Sequence, residues 1–276
     1  MPEPLTDFKR LCLHTITTKP WSIETAIAKY SKAGVHGITV WRQWLQDRKP
    51  RQVGDQIRDA GLQIVSTCRG GFFPALDLRD RQKAISDNLR AIDEAHELGA
   101  PQVVLVVGAA PGQSLAISRQ QIRDGIATIL PHARAAKVKL AVEPLHPMYA
   151  ADRSAINTLK QANDFCDVFN DPYLGIAVDV YHLWWDPDLQ QEIHHCGAAG
   201  RIFAFHVCDW RVPTIDFLND RGLMGEGCIA LREIREWVEE AGFHEMIEVE
   251  IFSNRWWAAD QDQFLQEIKK AYLQHV

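Results

Sequence analysis

The sequence predicts an α/β protein built as a single (β/α)8 TIM barrel. Eight short apolar segments alternate with eight segments of helical periodicity, which is typical of parallel strands joined by helical crossovers. Eight such units in 276 residues match the size of one barrel. A doubly wound open sheet is the alternative, weakened by the absence of a GxGxxG turn after the first strand. No linker-like change in composition divides the chain, so we expect one domain over residues 1–276, with the active site at the C-terminal strand ends.

The predicted strands are short runs of mainly apolar residues, and the helices between them have apolar residues at helical spacing. The strands are expected at 10–16, 37–41, 63–68, 102–107, 139–143, 174–179, 202–207 and 246–251. The helices are expected at about 22–33, 53–60, 79–98, 115–136, 154–169, 189–199, 231–241 and 261–273. Ser22 and Ser154 are the expected N-cap residues of two of these helices, because a serine oxygen accepts hydrogen bonds from the free amides of a first turn.

Composition and charge argue against several classes of protein. Hydrophobic residues make up 46% of the chain and charged residues 24%, which allows a large core and disfavours global disorder. The net charge of −6 disfavours an extended nucleic-acid surface, and no apolar run approaches the roughly 20 residues of a membrane helix. The six cysteines include no CxxC pair and the N-terminus is unlike a signal peptide, so we expect reduced thiols in a cytoplasmic protein.

Charged and polar residues occupy the ends of the four late strands, where the active site of such a barrel forms. Glu143 ends the fifth strand, Asp179 the sixth and His206 the seventh. The eighth strand offers Glu248 and Glu250 on the same side, and Glu250 is the better candidate because it lies nearer the loop. Crowded carboxylates repel each other, and a dication removes this repulsion. The pattern therefore predicts a metal site formed by Glu143, Asp179, His206 and Glu250.

Three carboxylates and one imidazole suit one hard or borderline divalent cation. We favour Mn²⁺, with Mg²⁺, Co²⁺ or Zn²⁺ as alternatives. Taken singly, an acidic residue at a strand end is more often a helix cap or an ion-pair partner, and a lone histidine is more often a buried hydrogen-bonded residue. Their occurrence on consecutive strands is what favours the metal site.

Other polar and aromatic residues near the strand ends are candidates for substrate contacts. His146 and His182 each lie three residues after a candidate ligand, which suggests that both line the barrel mouth, with exposed loop histidines as the alternative. Arg211 and Arg221 can hold a hydroxyl, carboxylate or phosphate group, although ordinary loop charge is the more frequent explanation for Arg221. Tryptophans in or near the loops suit the C–H faces of sugars or an aromatic aglycone, with core filling as the alternative for several: Trp41, Trp184, Trp185, Trp210, Trp256 and Trp257.

Five segments carry a resemblance to a known family. They are Glu-Pro-Leu-His at 143–146, Asp-Val-Tyr-His at 179–182, His-Val-Cys-Asp-Trp-Arg at 206–211, Gly-Glu-Gly at 225–227 and Glu-Ile-Phe at 250–252. They resemble the xylose-isomerase-like barrel superfamily, and more narrowly its sugar phosphate isomerase/epimerase group. That group contains ketose 3-epimerases, hydroxypyruvate isomerase, inosose dehydratase and inosose isomerases. The resemblance covers most of the chain and is more specific for the metal site than for the substrate.

The resemblance implies roles for individual residues. The metal ligands of the group match Glu143, Asp179, His206 and Glu250. Its two carboxylates that flank the reacting carbon match Glu143 and Glu250, and its substrate-binding positions match His182 and Arg211. In the C-glycoside deglycosidases, which the group also resembles, the position that matches His146 serves as acid or base.

Two departures from related proteins are visible in the sequence. Leu-Trp-Trp follows His182, whereas epimerases of the group carry a methionine and further acidic residues there. A bulky aromatic wall at this place disfavours a small free ketose and suits a larger substrate. The fuller set of histidines that binds several zinc ions in the DNA-repair endonucleases of the superfamily is not found.

The functional hypothesis is a divalent-metal-dependent isomerase or epimerase of a keto-sugar or related polyol. It would transfer a proton next to a carbonyl through a metal-stabilised enediolate. The expected catalytic residues are Glu143, Glu250 and His146. The expected substrate contacts are His182, Arg211, Trp41 and Trp184.

Two alternatives to this hypothesis stay open. The first is a lyase in the same site, either an inosose-type dehydratase or a C-glycoside deglycosidase subunit acting on 3-oxo-glycosides, with His146 protonating the leaving group. The second is a non-catalytic carbohydrate-binding subunit. As partners we expect a sugar or polyol, no nucleic acid and no membrane, and the sequence leaves a homo-oligomer or a small partner subunit open.

Overall fold

Eight parallel strands close into a barrel. The computed structural model describes residues 3–276. The barrel strands are β1 (Leu11–His14), β2 (Gly37–Trp41), β3 (Gln63–Gly71), β4 (Gln102–Val106), β5 (Lys139–Val142), β6 (Leu174–Asp179), β7 (Ile202–Val207) and β10 (Ile247–Val249). Neighbouring strands follow chain order, and β10 closes the barrel by pairing with β7 and β1. This topology confirms the expected (β/α)8 barrel.

Helices form the outer layer. The longer ones are α1 (Ile23–Lys32), α2 (Pro50–Asp59), α3 (Leu78–Leu98), α4 (Leu115–Ala136), α5 (Leu159–Phe169), α7 (Leu189–Ala198), α8 (Leu231–Glu240) and α10 (Gln261–His275). Short elements lie in the loops that follow the C-terminal ends of the strands. They are two 3-10 turns at Arg42–Leu45 and Pro147–Tyr149, α6 (Val180–Leu183), α9 (Asn254–Trp257), and a hairpin of β8 (Asp209–Trp210) with β9 (Arg221–Gly222). Within residues 3–276, no helix is long and apolar enough to cross a membrane.

The inside of the barrel is lined by small residues below its charged mouth. Residues two apart on a strand point to the same side, so each late strand places one interior residue directly beneath its terminal polar residue. Those lower positions on β5, β6 and β7 are Ala141, Ala177 and Ala204, all fully buried. Larger aliphatic residues face the helices instead and form the main core, among them Leu13, Val40 and Val178. The apolar core therefore lies between the strands and the helices.

The predicted elements agree with the structure except at a few ends. Ser22 caps α1 as expected, and its Oγ accepts a hydrogen bond from the amide of Thr25 at 3.2 Å. The expectation for Ser154 is wrong, because α5 begins at Leu159 and Thr158 caps it by accepting from the amide of Gln161 at 3.1 Å. Ser154 is buried in a turn and hydrogen-bonds Ile156. The six cysteines are free thiols, as predicted.

Candidate active site

Four buried polar side chains converge at the C-terminal end of the barrel. They are Glu143, Asp179, His206 and Glu250, and each offers one atom that lies within 4.8 Å of the atoms offered by the other three. The strand ladders set this arrangement, since Asp179 is in register with His206 across β6 and β7, and His206 with Glu248 across β7 and β10. We call these four residues the quartet. The structure thus brings together the residues that the strand ends singled out.

His206 links the quartet to a layer below it. Its Nδ1 lies 3.1 Å from Oε1 of Glu143, inside the quartet. Its Nε2 lies 3.8 Å from Oε1 of Glu248, and among residues 3–276 neither of these two atoms has a hydrogen-bond partner. The ring is therefore held between a carboxylate of the quartet and a deeper one.

The deeper layer is centred on Glu248 and His14. Oε2 of Glu248 accepts hydrogen bonds from Thr39 Oγ1 at 2.5 Å, His14 Nε2 at 3.0 Å and Ser66 Oγ at 3.2 Å. The other ring nitrogen of His14 lies 3.1 Å from Oε1 of Glu250. His14 is the last residue of β1, so the strand-end argument would have found it had it been applied to the early strands as well.

Arg221 is a central residue that the sequence pattern left among ordinary loop charges. Its guanidinium is buried, and Nη1 donates to Glu250 Oε2 at 2.7 Å and to Asp179 Oδ2 at 3.0 Å. Nη2 donates to Nε2 of His182 at 3.1 Å, and the guanidinium carbon lies 4.4 Å from the centroid of the Tyr181 ring. Arg221 therefore touches two members of the quartet and one predicted substrate-binding residue.

Asp209 anchors the loop that carries Arg221. Its side-chain oxygens accept hydrogen bonds from the amides of Trp210, Gly225, Gly227 and Ile229, at 2.8 to 3.0 Å. These bonds join the start of the loop after β7 to its end near α8. Between them β8 and β9 pair as a short hairpin, and Arg221 is the first residue of β9.

Burial and crowding shift the protonation of the quartet. Burial raises the pKa of Asp179 to about 7. The charges of Glu250 and Glu143 act in the same direction, and the charge of Arg221 opposes them. Burial also raises the pKa of Glu250, but Arg221 and His14 outweigh it and hold that pKa well below its usual range. The pKa of His182 is lowered well below its usual range by burial and by Arg221, so His182 is neutral. Since its Nε2 accepts from Arg221, its proton is on Nδ1, which has no partner within residues 3–276.

A cavity of about 320 Å³ opens above the quartet. The predicted residues that line it are Glu143, Glu250, His182 and Trp41. Arg221 also lines it, as do Arg69 and Arg153, which the sequence reasoning did not single out. Asp179 and His206 are fully buried beneath this lining. The cavity therefore gives a substrate access to two carboxylates of the quartet.

Three of the predicted catalytic and substrate-binding residues do not line this cavity. Arg211 forms an ion pair with Asp220. His146 accepts a hydrogen bond from the amide of Met148 at 3.2 Å, and its ring centroid lies 5.0 Å from that of Trp210. Trp184 also packs on Trp210, with centroids 5.7 Å apart. The aromatic wall expected after His182 thus packs against the hairpin.

The quartet has the chemistry of a cation site. Its donor set of three carboxylates and one imidazole suits a hard or borderline dication. Asp179 and Glu250 share the guanidinium of Arg221, and Glu143 lies against the His206 ring, so negative charge is in excess in this layer. The excess of negative charge also contributes to the raised pKa of Asp179, because a proton on this residue partly neutralises the crowded carboxylates. These residues could hold one divalent metal ion.

Comparison with known proteins identifies the family. The family model described as "xylose isomerase-like TIM barrel" matches residues 27–272. The chain belongs to this family. The xylose isomerase-like family includes sugar isomerases and epimerases, which agrees with the resemblance found in the sequence.

Similar members of the xylose isomerase-like family include solved structures and an enzyme with an assigned reaction. The crystal structure of a Sinorhizobium meliloti 1021 protein has 47% sequence identity and a TM-score of 0.93, covering 96% of this chain and 98% of that one. The inosose isomerase of Bacillus subtilis (strain 168) is 23% identical over 212 residues, which are 74% of this chain and 73% of the enzyme. The structure of the IolI protein with a bound zinc atom has 21% identity and a TM-score of 0.82, covering 95% and 96% of the two chains.

Proposed function

We propose that this protein is a divalent-metal-dependent isomerase or epimerase of a keto-sugar or related polyol. The observation that carries the proposal is the quartet, in which two carboxylates, Glu143 and Glu250, also line the cavity above it. The similarity to Bacillus inosose isomerases supports a reaction on a carbonyl-bearing polyol. The family supports catalysis as opposed to a purely binding role.

Glu143, Asp179, His206 and Glu250 are the residues that would hold one divalent cation, for which we favour Mn²⁺. When bound, the cation supplies a Lewis acid that draws electron density from the carbonyl of the substrate. The zinc atom in the IolI structure, which shares this fold, supports a divalent ion without selecting manganese. Glu248 would keep the His206 ring in place from below, since its Oε1 faces Nε2 of that ring at 3.8 Å.

Glu143 and Glu250 are the proposed acid and base. They reach the cavity from β5 and from the segment directly after β10, so both can contact a substrate held between them. The low pKa of Glu250 keeps this carboxylate ionised and able to accept a proton. His182 would donate its Nδ1 proton to a substrate oxygen, and Trp41 would pack on an apolar face of the sugar. Return of a proton to the opposite face of the same carbon gives an epimer, and return to the neighbouring carbon gives an isomer.

The lyase alternative gains no support from the position of His146. A lyase of the kind considered above needs an acid next to the leaving group. His146 lies outside the cavity lining, and its Nδ1 accepts a hydrogen bond from the amide of Met148. Burial lowers the pKa of His146, which disfavours a protonated imidazole there. We therefore prefer the isomerase or epimerase.

The test combines metal binding with proton exchange. Protein freed of metal with a chelator is expected to bind about one Mn²⁺ per chain in calorimetry. The Mn²⁺-loaded protein is expected to exchange the α-protons of an inosose or ketose in deuterated water. His206→Ala should lose the metal, and Glu143→Gln should lose the exchange, because the first removes a ligand and the second removes the proton carrier. His244→Ala changes an exposed histidine and serves as the control. Retention of both properties in both site variants would contradict the assignment.

A further inference from the structure

Two arginines on the wall of the cavity lack an anionic partner among residues 3–276. Arg69 and Arg153 both line the cavity above the quartet. Within residues 3–276, neither side chain donates a hydrogen bond or forms an ion pair. Other arginines nearby are neutralised, since Arg221 contacts Asp179 and Glu250, and Arg42 contacts Asp87 and Glu94. The guanidinium groups of Arg69 and Arg153 are therefore free to bind something else.

Aromatic rings hold both guanidinium groups in place. The guanidinium carbon of Arg69 lies 4.3 Å from the centroid of the Phe72 ring, and that of Arg153 lies 5.7 Å from the centroid of the Tyr149 ring. Arg69 belongs to β3, and Arg153 follows the 3-10 turn Pro147–Tyr149, so the two come from separate strand ends. Contact with a ring face leaves the N–H groups of a guanidinium available for hydrogen bonds.

The two guanidinium groups are also close enough to disfavour each other. Burial, followed by the charge of Arg153, lowers the pKa of Arg69, and the smaller opposing effects of Glu143 and Glu250 do not cancel this shift. Two like charges that share a partly buried space are unfavourable unless an opposite charge lies between them. Both side chains are about half-buried, which makes the space suitable for a ligand anion and reduces screening by water.

We propose that Arg69 and Arg153 bind an anionic group of the substrate, a carboxylate or a phosphate. The substrate would then be an acidic ketose or a ketose phosphate, with its carbonyl end at the quartet and its charged group at the two arginines. Arginine suits both anions because its planar fork can donate two hydrogen bonds to either. The cavity of about 320 Å³ has room for a single sugar of this kind. This inference rests on the proposed function, since it extends the same site.

Calorimetry on the Mn²⁺-loaded protein in a phosphate-free buffer tests the inference. The probes are D-fructose 6-phosphate, 5-keto-D-gluconate, D-fructose and inorganic phosphate, so that the two kinds of anion are measured separately and against a neutral ketose. Wild type should bind at least one acidic ketose more than tenfold tighter than D-fructose. Arg69→Gln and Arg153→Gln should each weaken that binding about 10- to 100-fold and change D-fructose binding less than twofold. Arg51→Gln, which removes the same charge from the exposed surface of α2, should change neither.

The outcomes separate this inference from the proposed function. Equal affinity for neutral and acidic probes, no binding of any anionic probe, or unchanged binding in Arg69→Gln and Arg153→Gln would overturn the anion site. Binding of inorganic phosphate alone, unaffected by both variants, would overturn it too. Exchange of α-protons is measured in parallel. If the protein exchanges the α-protons of a neutral polyol but shows no preference for anions, the anion site is wrong and the proposed function stays in place. If it binds anions but exchanges protons on no probe, the result counts against the proposed enzyme and not against the anion site.

Discussion

Glu248 and Glu250 lie on the same side of one chain segment, two residues apart, and both are buried, yet their surroundings differ. Oε2 of Glu248 is satisfied by the protein, since Thr39, Ser66 and His14 donate to it, and Oε1 faces Nε2 of His206 at 3.8 Å without a hydrogen bond. Burial raises its pKa, but the charges of His206 and His14 and the hydrogen bonds from His14 and Thr39 hold it below its usual value. Glu250 faces the cavity and shares its layer with two other carboxylates.

The difference distinguishes a structural charge from a functional one. A buried carboxylate surrounded by donors is stable where it is and has nothing further to bind. Arg221 and His14 compensate the charge of Glu250, but the raised pKa of the neighbouring Asp179 shows that this layer as a whole carries an excess of negative charge. We therefore propose that the lower layer is the scaffold of the site and that the upper layer carries its chemistry. Three substitutions test this division.

The largest expected effect is on proton exchange. Glu250→Gln should slow α-proton exchange by about 10²- to 10⁴-fold, because an amide cannot act as the base. Glu248→Gln should slow it by about tenfold or less, since its effect passes through the placement of His206. Deuterium uptake followed by mass spectrometry at saturating Mn²⁺ measures both. Equal losses in the two variants would remove the distinction between the layers.

The second effect is on the free energy of unfolding, which Glu248→Gln should lower more than Glu250→Gln does. Glu248→Gln should lower the free energy of unfolding by about 3 kcal/mol, because it breaks a buried pair with His14. Glu250→Gln should change it by about 1 kcal/mol or less, since the lost contact with Arg221 is offset by relief of carboxylate repulsion. Urea unfolding in the presence of a chelator measures both without a contribution from bound metal. A larger loss in Glu250→Gln would contradict the assignment of the upper layer.

The smallest effect concerns the positive charge in the upper layer. Arg221→Gln should make Mn²⁺ bind about tenfold more tightly, because the guanidinium competes with a dication for Asp179 and Glu250. Arg211→Gln is the matched control, since Arg211 pairs with Asp220 outside the cavity lining. Calorimetric titration of the metal-free proteins with Mn²⁺ compares the Mn²⁺ affinities of wild type and the two variants. Weaker binding in Arg221→Gln would mean that the guanidinium mainly orders the ligand carboxylates.

The alternation of apolar strands and helices was enough to predict the barrel, and the strand-end rule was enough to single out the quartet. Both patterns are local, because the burial of each strand and the position of its last residue follow from the sequence around it. The cap at Thr158 shows the limit of such patterns. Ser154 and Thr158 are equally good N-cap residues by type, and packing of the turn after β5 decides between them.

The residues that the sequence did not identify are mostly in loops. Arg221, Arg69 and Arg153 reach the cavity from three separate segments, and nothing in the sequence states which loop charges turn inward. Arg211 illustrates the converse, because the sequence resemblance predicted a substrate contact for it, whereas it pairs with Asp220. Loop conformation depends on contacts between distant segments, such as the hydrogen bond from the Tyr181 hydroxyl to the carbonyl of Phe217 at 3.3 Å. These contacts have no local signature in the sequence.

The anchoring of the Arg221 loop by Asp209 has a consequence for how such an enzyme can diversify. Asp209 fixes both ends of the loop and the amide of Arg221 donates to the carbonyl of Phe252, so the segment 212–218 can change in composition while Arg221 stays where it is. The proposed acid and base, Glu143 and Glu250, by contrast, directly follow β5 and β10, whose ladders place them. New substrate preferences can therefore arise by mutation of this loop while the proton-transfer machinery is inherited unchanged.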